Sequence, residues 1–259
     1  MSDAEVRIEA TDLRRSFKTR IAVDGLTLRV TAGEILELGA TRVVLATGSN
    51  WRRDGVGRAN CHAIRGFDAA HRVFTPDEVM DGTRVAGPVV IFDDDHYYLG
   101  AVLAEKLRSE GLEVALVTPA ERVSAWTVNT LEQHAIQKRL LELGVELQLN
   151  RNAVEFDGSG LVLECTFTGR RSTVPAASLV TVTSRLPNDA LALALAAMSA
   201  TAQASGIVSI TSIGDSLAPG TIAAAVYAGH RYAREFDWPP GDEPAFQREL
   251  PDLKGSVSN

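Results

Sequence analysis

The residues best suited to chemistry are the three aspartates and one histidine of Asp93–His96, which follow the apolar run Val89–Phe92. Carboxylates and imidazole are common metal ligands, so a metal cluster is one interpretation of this run. Adjacent residues of an extended chain point to opposite faces, however, and such side chains do not converge on one ion. We therefore expect no metal site here.

The same turn stands where a dinucleotide-binding βαβ unit carries glycines. Counting back from Gly100, the glycine places are occupied by Asp95 and Tyr97. Glycines keep such a turn tight and let a pyrophosphate approach the N-terminus of the next helix. Carboxylates repel phosphate, and a tyrosine fills the space that phosphate needs. The segment predicts a βαβ fold without the nucleotide contact, so NAD(P) is not expected as a cofactor.

Candidate nucleophiles lack the sequence context that would activate them. No GxSxG elbow surrounds Ser49, Ser184 or Ser212, and this motif is what exposes a catalytic serine in α/β hydrolases. Cys61 and Cys165 form no CxxC pair, and we expect both to be reduced thiols. The sequence therefore identifies no catalytic residue.

Composition excludes several partner classes. The chain has 259 residues, with 26 Lys and Arg against 33 Asp and Glu, for a net charge of −7. This balance disfavours a broad nucleic-acid or anionic-membrane surface. No apolar run approaches the roughly 20 residues of a membrane span, and the N-terminus has no secretory h-region. The sequence-based expectation is a cytoplasmic protein.

Strands and helices alternate along the chain, which favours a mainly parallel sheet with helices on its faces. An N-terminal pair of exposed strands is expected over Glu5–Ser16 and Ala22–Val30, with a turn at Asp24-Gly25. The other predicted elements are helices over Leu99–Glu110, Thr127–Leu143, Leu191–Ala204 and Thr221–Phe236, a short helix capped at Thr75, strands over Arg42–Leu45, Glu113–Val117, Val145–Leu149, Leu179–Thr183 and Ile207–Ile213, and a hairpin of Ala153–Phe156 with Leu161–Phe167.

Four separated segments resemble flavoproteins that have two dinucleotide-binding domains. Val43–Ser49 resembles the "hhhATG" strand of the flavin domain, and Val182–Asn188 resembles the "GRxPN" segment that returns from the nucleotide domain. Ile207–Asp215 resembles the second flavin signature, and Ala223–His230 resembles the helix after it. The segments occur in the order of the family.

A closer resemblance is carried by Glu37–Ala40, Pro76–Gly82 and Leu103–Leu107. These are similar to the C-terminal half of trimethylamine, dimethylamine and histamine dehydrogenases, which are relatives of 2,4-dienoyl-CoA reductase. The resemblance covers residues 31–253. It implies an α/β fold in which a parallel-sheet, Rossmann-like nucleotide-binding domain is inserted in an incomplete FAD-type domain.

The resemblance also implies a cofactor and its contacts. FAD or ADP would be bound through Thr47, Gly48, Gly214, Asp215 and Thr221. Two alternatives stay open: Asp215 is a cap for a helix that begins near Pro219, and Thr47-Gly48 is only a strand-ending turn. The amine dehydrogenases pass electrons to an electron-transfer flavoprotein rather than to NAD, so a degenerate turn at Asp95–Gly100 suits this family.

Parts of the family pattern are missing. The FMN barrel, the iron–sulfur cysteines and a GxGxxG loop are absent from this sequence. The expected partners are a flavin-barrel subunit or an electron-transfer flavoprotein, and apolar surface that the barrel would cover leaves a homo-oligomer open. The implied domains are an atypical β-rich segment (1–36), a partial FAD/ADP-binding type (37–85 and 205–238), a degenerate NAD(P)-binding type (86–204) and a tail (239–259).

The N-terminus resembles a different family. Val6–Phe17, Ile21–Val30 and Ala32–Ile35 are similar to the opening strands of an ABC-transporter ATPase, in which Phe17 would match the aromatic residue that stacks on adenine. No GxxxxGK[ST] loop follows, and ATP hydrolysis needs its amides and lysine. ATPase activity is therefore excluded, and a gene fusion or a recombined reading frame explains the segment.

Two classes of function follow. The first is a flavin-dependent oxidoreductase module that is inactive alone. The second is a non-catalytic remnant or fusion that acts only as an interaction or scaffold fragment. The substrate cannot be inferred from this chain.

Overall fold

The computed structural model describes residues 7–17, 20–66 and 72–236, and for residues 7–17 and 20–30 it describes only the backbone. The chain divides into two compact units. The first unit comprises Met1–Ser49 and Pro187–Asn259, and the second comprises Asn50–Leu186. The second unit is thus an insertion in the sequence of the first.

The helices and strands are numbered in chain order. The strands are β1 (Arg7–Phe17), β2 (Arg20–Thr31), β3 (Arg42–Leu45), β4 (Ser49–Trp51), β5 (Val73–Phe74), β6 (Val89–Asp93), β7 (Val114–Thr118), β8 (Glu146–Leu149), β9 (Arg151–Phe156), β10 (Gly160–Cys165), β11 (Arg171–Pro175), β12 (Ser178–Val182), β13 (Arg185–Pro187) and β14 (Ser209–Ser212). The helices are α1 (Ala32–Glu37), α2 (Pro76–Met80), α3 (Leu99–Ser109), α4 (Gln133–Glu142), α5 (Ala190–Ala197), α6 (Ser199–Ala204) and α7 (Ile222–Glu235), with 3-10 turns at Ala125–Val128 and Gly214–Ser216.

The second unit is built on a five-stranded sheet in the order β5-β12-β6-β7-β8. All of its neighbouring strands are parallel. Every residue of β6 and β12 is buried, as expected for parallel strands that are covered on both faces. This confirms the predicted α/β class with a parallel sheet.

Both faces of this sheet are covered by elements of the same unit. One face packs on α3 and α4, through Leu103, Leu107 and Leu140. The other packs on an antiparallel sheet in the order β11-β10-β9, whose Phe156 and Leu161 are fully buried. The predicted hairpin is confirmed as β9 and β10. The third strand of this antiparallel sheet, β11, was not predicted.

Local signals explain the helix boundaries that were predicted well. The hydroxyl of Thr75 accepts a hydrogen bond from the N–H of Glu78, and the Glu78 carboxylate accepts one from the N–H of Thr75. This capping box starts α2 with Pro76 at its first position. Helix α3 begins at Leu99, as predicted, and Gly111 follows its end with a φ of 86°.

The predicted helix over Thr127–Leu143 was wrong in its first third. Residues Ala125–Val128 form a 3-10 turn, and α4 begins only at Gln133. Leu131 between them has a φ of 64°, a left-handed conformation that an α-helix does not accept. The apolar periodicity continues through this part of the sequence, but it gives no indication that the helical backbone is interrupted at Leu131.

The first unit contains a two-stranded parallel sheet of β3 and β14. Its core contains Leu45, Leu191, Leu195 and Ile207. The predicted helix Leu191–Ala204 is divided into α5 and α6 at Met198. Helix α1 was not predicted, although Thr31 and Glu34 form a capping box at its start.

The N-terminal strands β1 and β2 pair antiparallel, with register shifts along the ribbon. The predicted turn at Asp24-Gly25 was wrong, because both residues lie within β2. The side chain of Phe17 and the predicted tail 239–259 lie outside what the structure describes. Over the described residues, no helix combines the length and the apolar character that a membrane crossing requires.

The boundaries between the two units fall at residues 49–50 and 186–187 of the sequence. The domain boundaries expected from the sequence lie at 85–86 and 204–205. Val73 pairs with β12 inside the parallel sheet of the second unit. Leu191 and Leu195 belong to the core of the first unit. These contacts explain why Val73 lies in the second unit, and Leu191 and Leu195 in the first.

Candidate functional site

The carboxyl end of β6 lies where open α/β sheets bind ligands, and in this chain it is filled by the side chain of Asp94. This carboxylate is fully buried. It accepts hydrogen bonds from the backbone N–H groups of Ala59 and Asn60, each with a shortest N···O distance of 2.9 Å. Gly57 packs against it so closely that an added Cβ would lie 2.2 Å from Oδ2. The segment around residues 57–60 is therefore folded onto the carboxylate.

The preceding residue, Asp93, closes the turn itself. Its Oδ1 accepts hydrogen bonds from the N–H groups of Asp95 at 3.2 Å and His96 at 3.0 Å. Its Oδ2 is buried, has no hydrogen-bond partner among the described residues and lies against Gly100. Burial is the largest influence on this group and raises its pKa to about 7.

His96 brings the turn together in a way that the sequence did not indicate. Its φ is 63°, so the chain has left the extended conformation. Its Nε2 lies 3.0 Å from Oδ1 of Asp94, and its Nδ1 lies 3.3 Å from the hydroxyl of Thr118. The expectation that these side chains diverge was wrong for Asp94 and His96, which meet because strand alternation ends at Asp93. Within the described ranges, no three His, Cys, Asp or Glu side chains form a group able to hold a metal ion.

Two arginine side chains, Arg58 and Arg185, act on the carboxylate of Asp95. The guanidinium of Arg58 lies 3.8 Å from its carboxylate and also stacks on Trp126, 4.5 Å from the ring centroid. Arg185 stacks on Trp51 at 5.2 Å. Burial raises the pKa of Asp95, while the charges of Arg58 and Arg185 act in the opposite direction. The side chains of the chain itself thus occupy the edge of the sheet.

The second candidate site lies in the first unit, where β3 and β14 end side by side. Asp215 is half-buried. Its Oδ2 accepts a hydrogen bond from the hydroxyl of Ser49 at 3.2 Å, and its Oδ1 accepts one from the N–H of Gly220 at 3.0 Å. Gly48 and Gly214 have φ values of 74° and 61°, a region that favours glycine. The structure therefore brings the segments of Gly48 and Asp215 together across the strand ends.

The two predicted threonines already have local partners. The hydroxyl of Thr47 donates to the carbonyl of Asn188 at 2.6 Å, and Asn188 N–H donates to the carbonyl of Gly48 at 2.9 Å. The hydroxyl of Thr221 accepts from the N–H of Ala224 at 3.3 Å and caps α7. Thr221 therefore caps α7, and Asp215 does not. Asp215 instead accepts a hydrogen bond from Gly220, the residue before the cap.

Two serines of this site were missed by sequence reasoning. Ser49 was considered only as a nucleophile, yet it bonds Asp215. Ser216 is buried, and its hydroxyl lies 2.8 Å from the carbonyl of Leu45. A Gly-Asp-Ser run directly after a strand is the signal that could have drawn attention to Ser216. No local signal indicates Ser49, because its partner lies 166 residues away.

The residues present fit one part of an FAD or ADP group. The strand ends supply a half-buried carboxylate at Asp215, and apart from its chain neighbours no described residue lies within 4 Å of a Cβ added at Gly48. A carboxylate accepts hydrogen bonds from sugar-like hydroxyls, and an open glycine permits close approach of a ligand. These two features suit a hydroxyl-bearing group better than a pyrophosphate, for which the chain has no GxGxxG loop.

Comparison with known proteins identifies the relatives of this chain. The family described as OYE-like second alpha/beta domain matches residues 74–169. Dimethylamine dehydrogenase of Hyphomicrobium sp. (strain x) is 32% identical in an alignment 242 residues long, which covers 85% of this chain and 33% of that protein.

Solved structures agree with this relationship. Histamine dehydrogenase from Rhizobium sp. 4-9 is 43% identical with a TM-score of 0.81, over 87% of this chain and 33% of that one. The 6-hydroxypseudooxynicotine amine oxidase from Pseudomonas geniculata N1 is 33% identical with a TM-score of 0.72, over 78% and 30%. The chain spans about a third of the length of these relatives and is a homologue of the dimethylamine and histamine dehydrogenases.

Proposed function

We propose that this chain is the nucleotide-binding part of an amine-dehydrogenase-like flavoprotein and is inactive alone. The observation that carries the proposal is the Ser49–Asp215 contact, which joins the ends of β3 and β14 beside two left-handed glycines. The similarity to dimethylamine and histamine dehydrogenases supports the same class of reaction. The substrate of the complete flavoprotein would be an amine, as the names of those relatives indicate.

Residues Thr47, Gly48, Gly214, Asp215 and Thr221 are the proposed contacts to FAD or ADP. Asp215 would accept hydrogen bonds from hydroxyls of the bound group, and Gly48 would allow it to approach the backbone. A bound flavin would supply the electron-accepting ring. Thr47 and Thr221 would contribute mainly by holding the strand end and the start of α7, since their hydroxyls have the local partners described above.

The second unit would not bind NAD(P). The N–H groups of Ala59, Asn60, Asp95 and His96 already donate to the carboxylates of the turn. A phosphate placed there would compete with buried carboxylates and meet their negative charge. Electrons would instead leave through a protein partner, for which an electron-transfer flavoprotein is our proposal.

A further polypeptide that carries a flavin barrel is the second proposed partner. Helix α7 has no buried residue, and its Ile222, Val226 and Tyr227 are 83%, 53% and 61% exposed. Only two strands form the parallel sheet of the first unit in the described part of the chain, although parallel sheets are normally covered on both faces. Added strands and a covering surface would complete this unit.

Ligand-dependent melting of the purified chain tests the proposal. Millimolar FAD or ADP should raise the melting temperature by about 2–4 °C if the ligand is near tenfold above its dissociation constant. Asp215→Asn should abolish the rise. The matched control is Asp157→Asn, which alters an exposed turn carboxylate of the second unit and should leave the rise intact.

The alternative is a non-catalytic interaction fragment, which the exposed apolar face of α7 favours. A colourless protein whose melting temperature is unchanged by either ligand would support this alternative and contradict the cofactor proposal. Stable co-purification with a barrel polypeptide, without bound flavin in the first unit, would assign the chain a scaffold role.

A further inference from the structure

A cleft between α3 and α4, in the second unit, takes no part in the proposed function. Its volume is about 280 Å³, and side-chain bonds join the two helices at both of its ends. At one end the phenol of Tyr98 donates a hydrogen bond to the carboxylate of Glu132. At the other end Arg139 donates two hydrogen bonds to Oε1 of Glu105, at 2.9 and 3.1 Å. The helices therefore run in the same direction, with position 98 beside 132 and position 105 beside 139.

The middle of the cleft is apolar, because both helices carry hydrocarbon side chains between these ends. Its lining there consists of Ala101, Val102, Ala135, Ile136 and Leu140. Val102 is 48% exposed, so this apolar surface is open to solvent. The two bonded ends lie seven residues apart along each helix, which is about 10 Å. A cleft of this length and volume suits a compact molecule better than another helix, since pockets for small molecules begin at about 300 Å³.

The two ends of the cleft differ in charge. The carboxylate of Glu105 is matched by the guanidinium of Arg139. The carboxylate of Glu132 is bonded by the hydroxyls of Tyr98 and Thr130, which are uncharged and lower its pKa. Within the part of the chain that the structure describes, no Lys, Arg or His forms an ion pair with Glu132. The Tyr98 end therefore presents a negative charge without a cation, beside an aromatic ring.

We propose that the α3–α4 cleft binds a small organic ammonium ion. Its charged group would lie at Glu132 and Tyr98, because carboxylates and aromatic rings both attract cations. Its apolar body would lie against Ala101, Ala135 and Ile136. A neutral molecule of the same shape keeps only the apolar contacts, and an anionic one meets the negative charge of Glu132.

Titration of the full chain with 2-phenylethylammonium, followed by NMR, tests the site. The methyl signals of Ala101, Ala135 and Ile136 should shift and saturate, with a dissociation constant of about 1–10 mM for so small and exposed a contact. The neutral analogue 2-phenylethanol should bind about tenfold more weakly, because it lacks the attraction of its charge to the carboxylate and the ring.

Two variants separate the contribution of the charge from that of the cleft. Glu132→Gln keeps an oxygen that accepts from Tyr98 but removes the charge, so it should weaken binding of the ammonium probe about fivefold and leave 2-phenylethanol unaffected. Ala135→Leu fills the cleft from an exposed position, and neither probe should then bind saturably. Glu142→Gln is the matched control, because it makes the same substitution at an exposed position of α4 outside the cleft. It should keep the wild-type affinity for both probes.

Three results would each overturn the proposal: no saturable shift of these methyl signals in the wild-type chain, equal affinities for the two probes, or an unchanged affinity for the ammonium probe in Glu132→Gln. Circular dichroism checks that each variant folds. If Glu132→Gln does not fold, the comparison of the two probes on the wild-type chain decides the matter. The experiment contains no flavin, so its failure leaves the melting response to FAD or ADP in the first unit as a separate result.

Discussion

His96 Nε2 lies 3.0 Å from Asp94 Oδ1, and the two side chains are 11% and 0% exposed. The left-handed backbone of His96 turns the imidazole back toward a carboxylate only two residues earlier. This contact makes the turn after β6 a closed, internally bonded structure. The N–H groups of Asp95 and His96 in the same turn donate to the carboxylate of Asp93.

Asp94→Ala should lower the free energy of unfolding by about 3 kcal/mol, because the N–H groups of Ala59 and Asn60 and the imidazole of His96 lose their acceptor. Urea unfolding followed by circular dichroism measures the change. Glu121→Ala is the control, since it removes an exposed ion pair with Arg122 and should cost less than about 0.5 kcal/mol. Equal stability of the two variants would contradict the assigned role of Asp94.

Asp93→Asn should flatten the pH dependence of global stability. A carboxyl group whose pKa is raised in the folded chain stabilises the protein when protonated, so its contribution falls as the pH rises from about 4 to 7. The variant should therefore be more stable than the wild-type chain at pH 8, by about 1–3 kcal/mol, and less distinct from it at pH 5. Urea midpoints across this range measure the effect, and parallel curves for the two proteins would refute it.

Gly100→Ala should destabilise the chain by about 1–3 kcal/mol through overpacking. A Cβ at Gly100 would lie 2.6 Å from Oδ2 of Asp93. Gly229→Ala is the matched control within a helix, because no described residue outside its own helical turns lies within 4 Å of its Cβ position. That change should stabilise by up to about 1 kcal/mol from helix propensity. Thermal melting of both variants gives the comparison, and destabilisation by Gly229→Ala alone would be the contrary result.

Leu131→Gly should raise stability by about 1 kcal/mol, because it relieves the left-handed strain of a residue whose side chain makes little contact. Leu131 has a φ of 64° and is 91% exposed. Val128→Gly, in the neighbouring 3-10 turn, has no such strain to relieve and should destabilise. A loss of stability in Leu131→Gly would show that its side chain contributes packing that outweighs the strain.

Local patterns predicted the elements that short-range interactions control. The cap at Thr75 and the start of α3 at Leu99 depend on residues within one turn, and the burial of β6 depends on its own apolar run. The same patterns failed at Leu131 and at Asp24-Gly25. In the first case a single residue adopts a left-handed backbone, and in the second a turn-like pair is accommodated within a long, irregular ribbon.

The candidate sites depend on contacts between residues far apart in the sequence, which the spacing of residues does not reveal. Asp94 bonds residues 34 and 35 positions earlier, and Ser49 bonds Asp215 across 166 positions. The roles of Thr47 and Thr221 also depended on partners seen only in the folded chain. The assignment of these residues to FAD or ADP stays a prediction.

Sequence alone was sufficient for the α/β class, the parallel sheet and the kinship with amine dehydrogenases, because apolar periodicity and ordered motifs are properties of the chain itself. Only the tertiary structure decided what the aspartates after β6 do. The carboxylate of Asp94 is covered by a segment distant in sequence, at residues 57–60, and this segment supplies the N–H groups that it accepts. In this protein the turn of Asp93, Asp94 and His96 binds its own backbone.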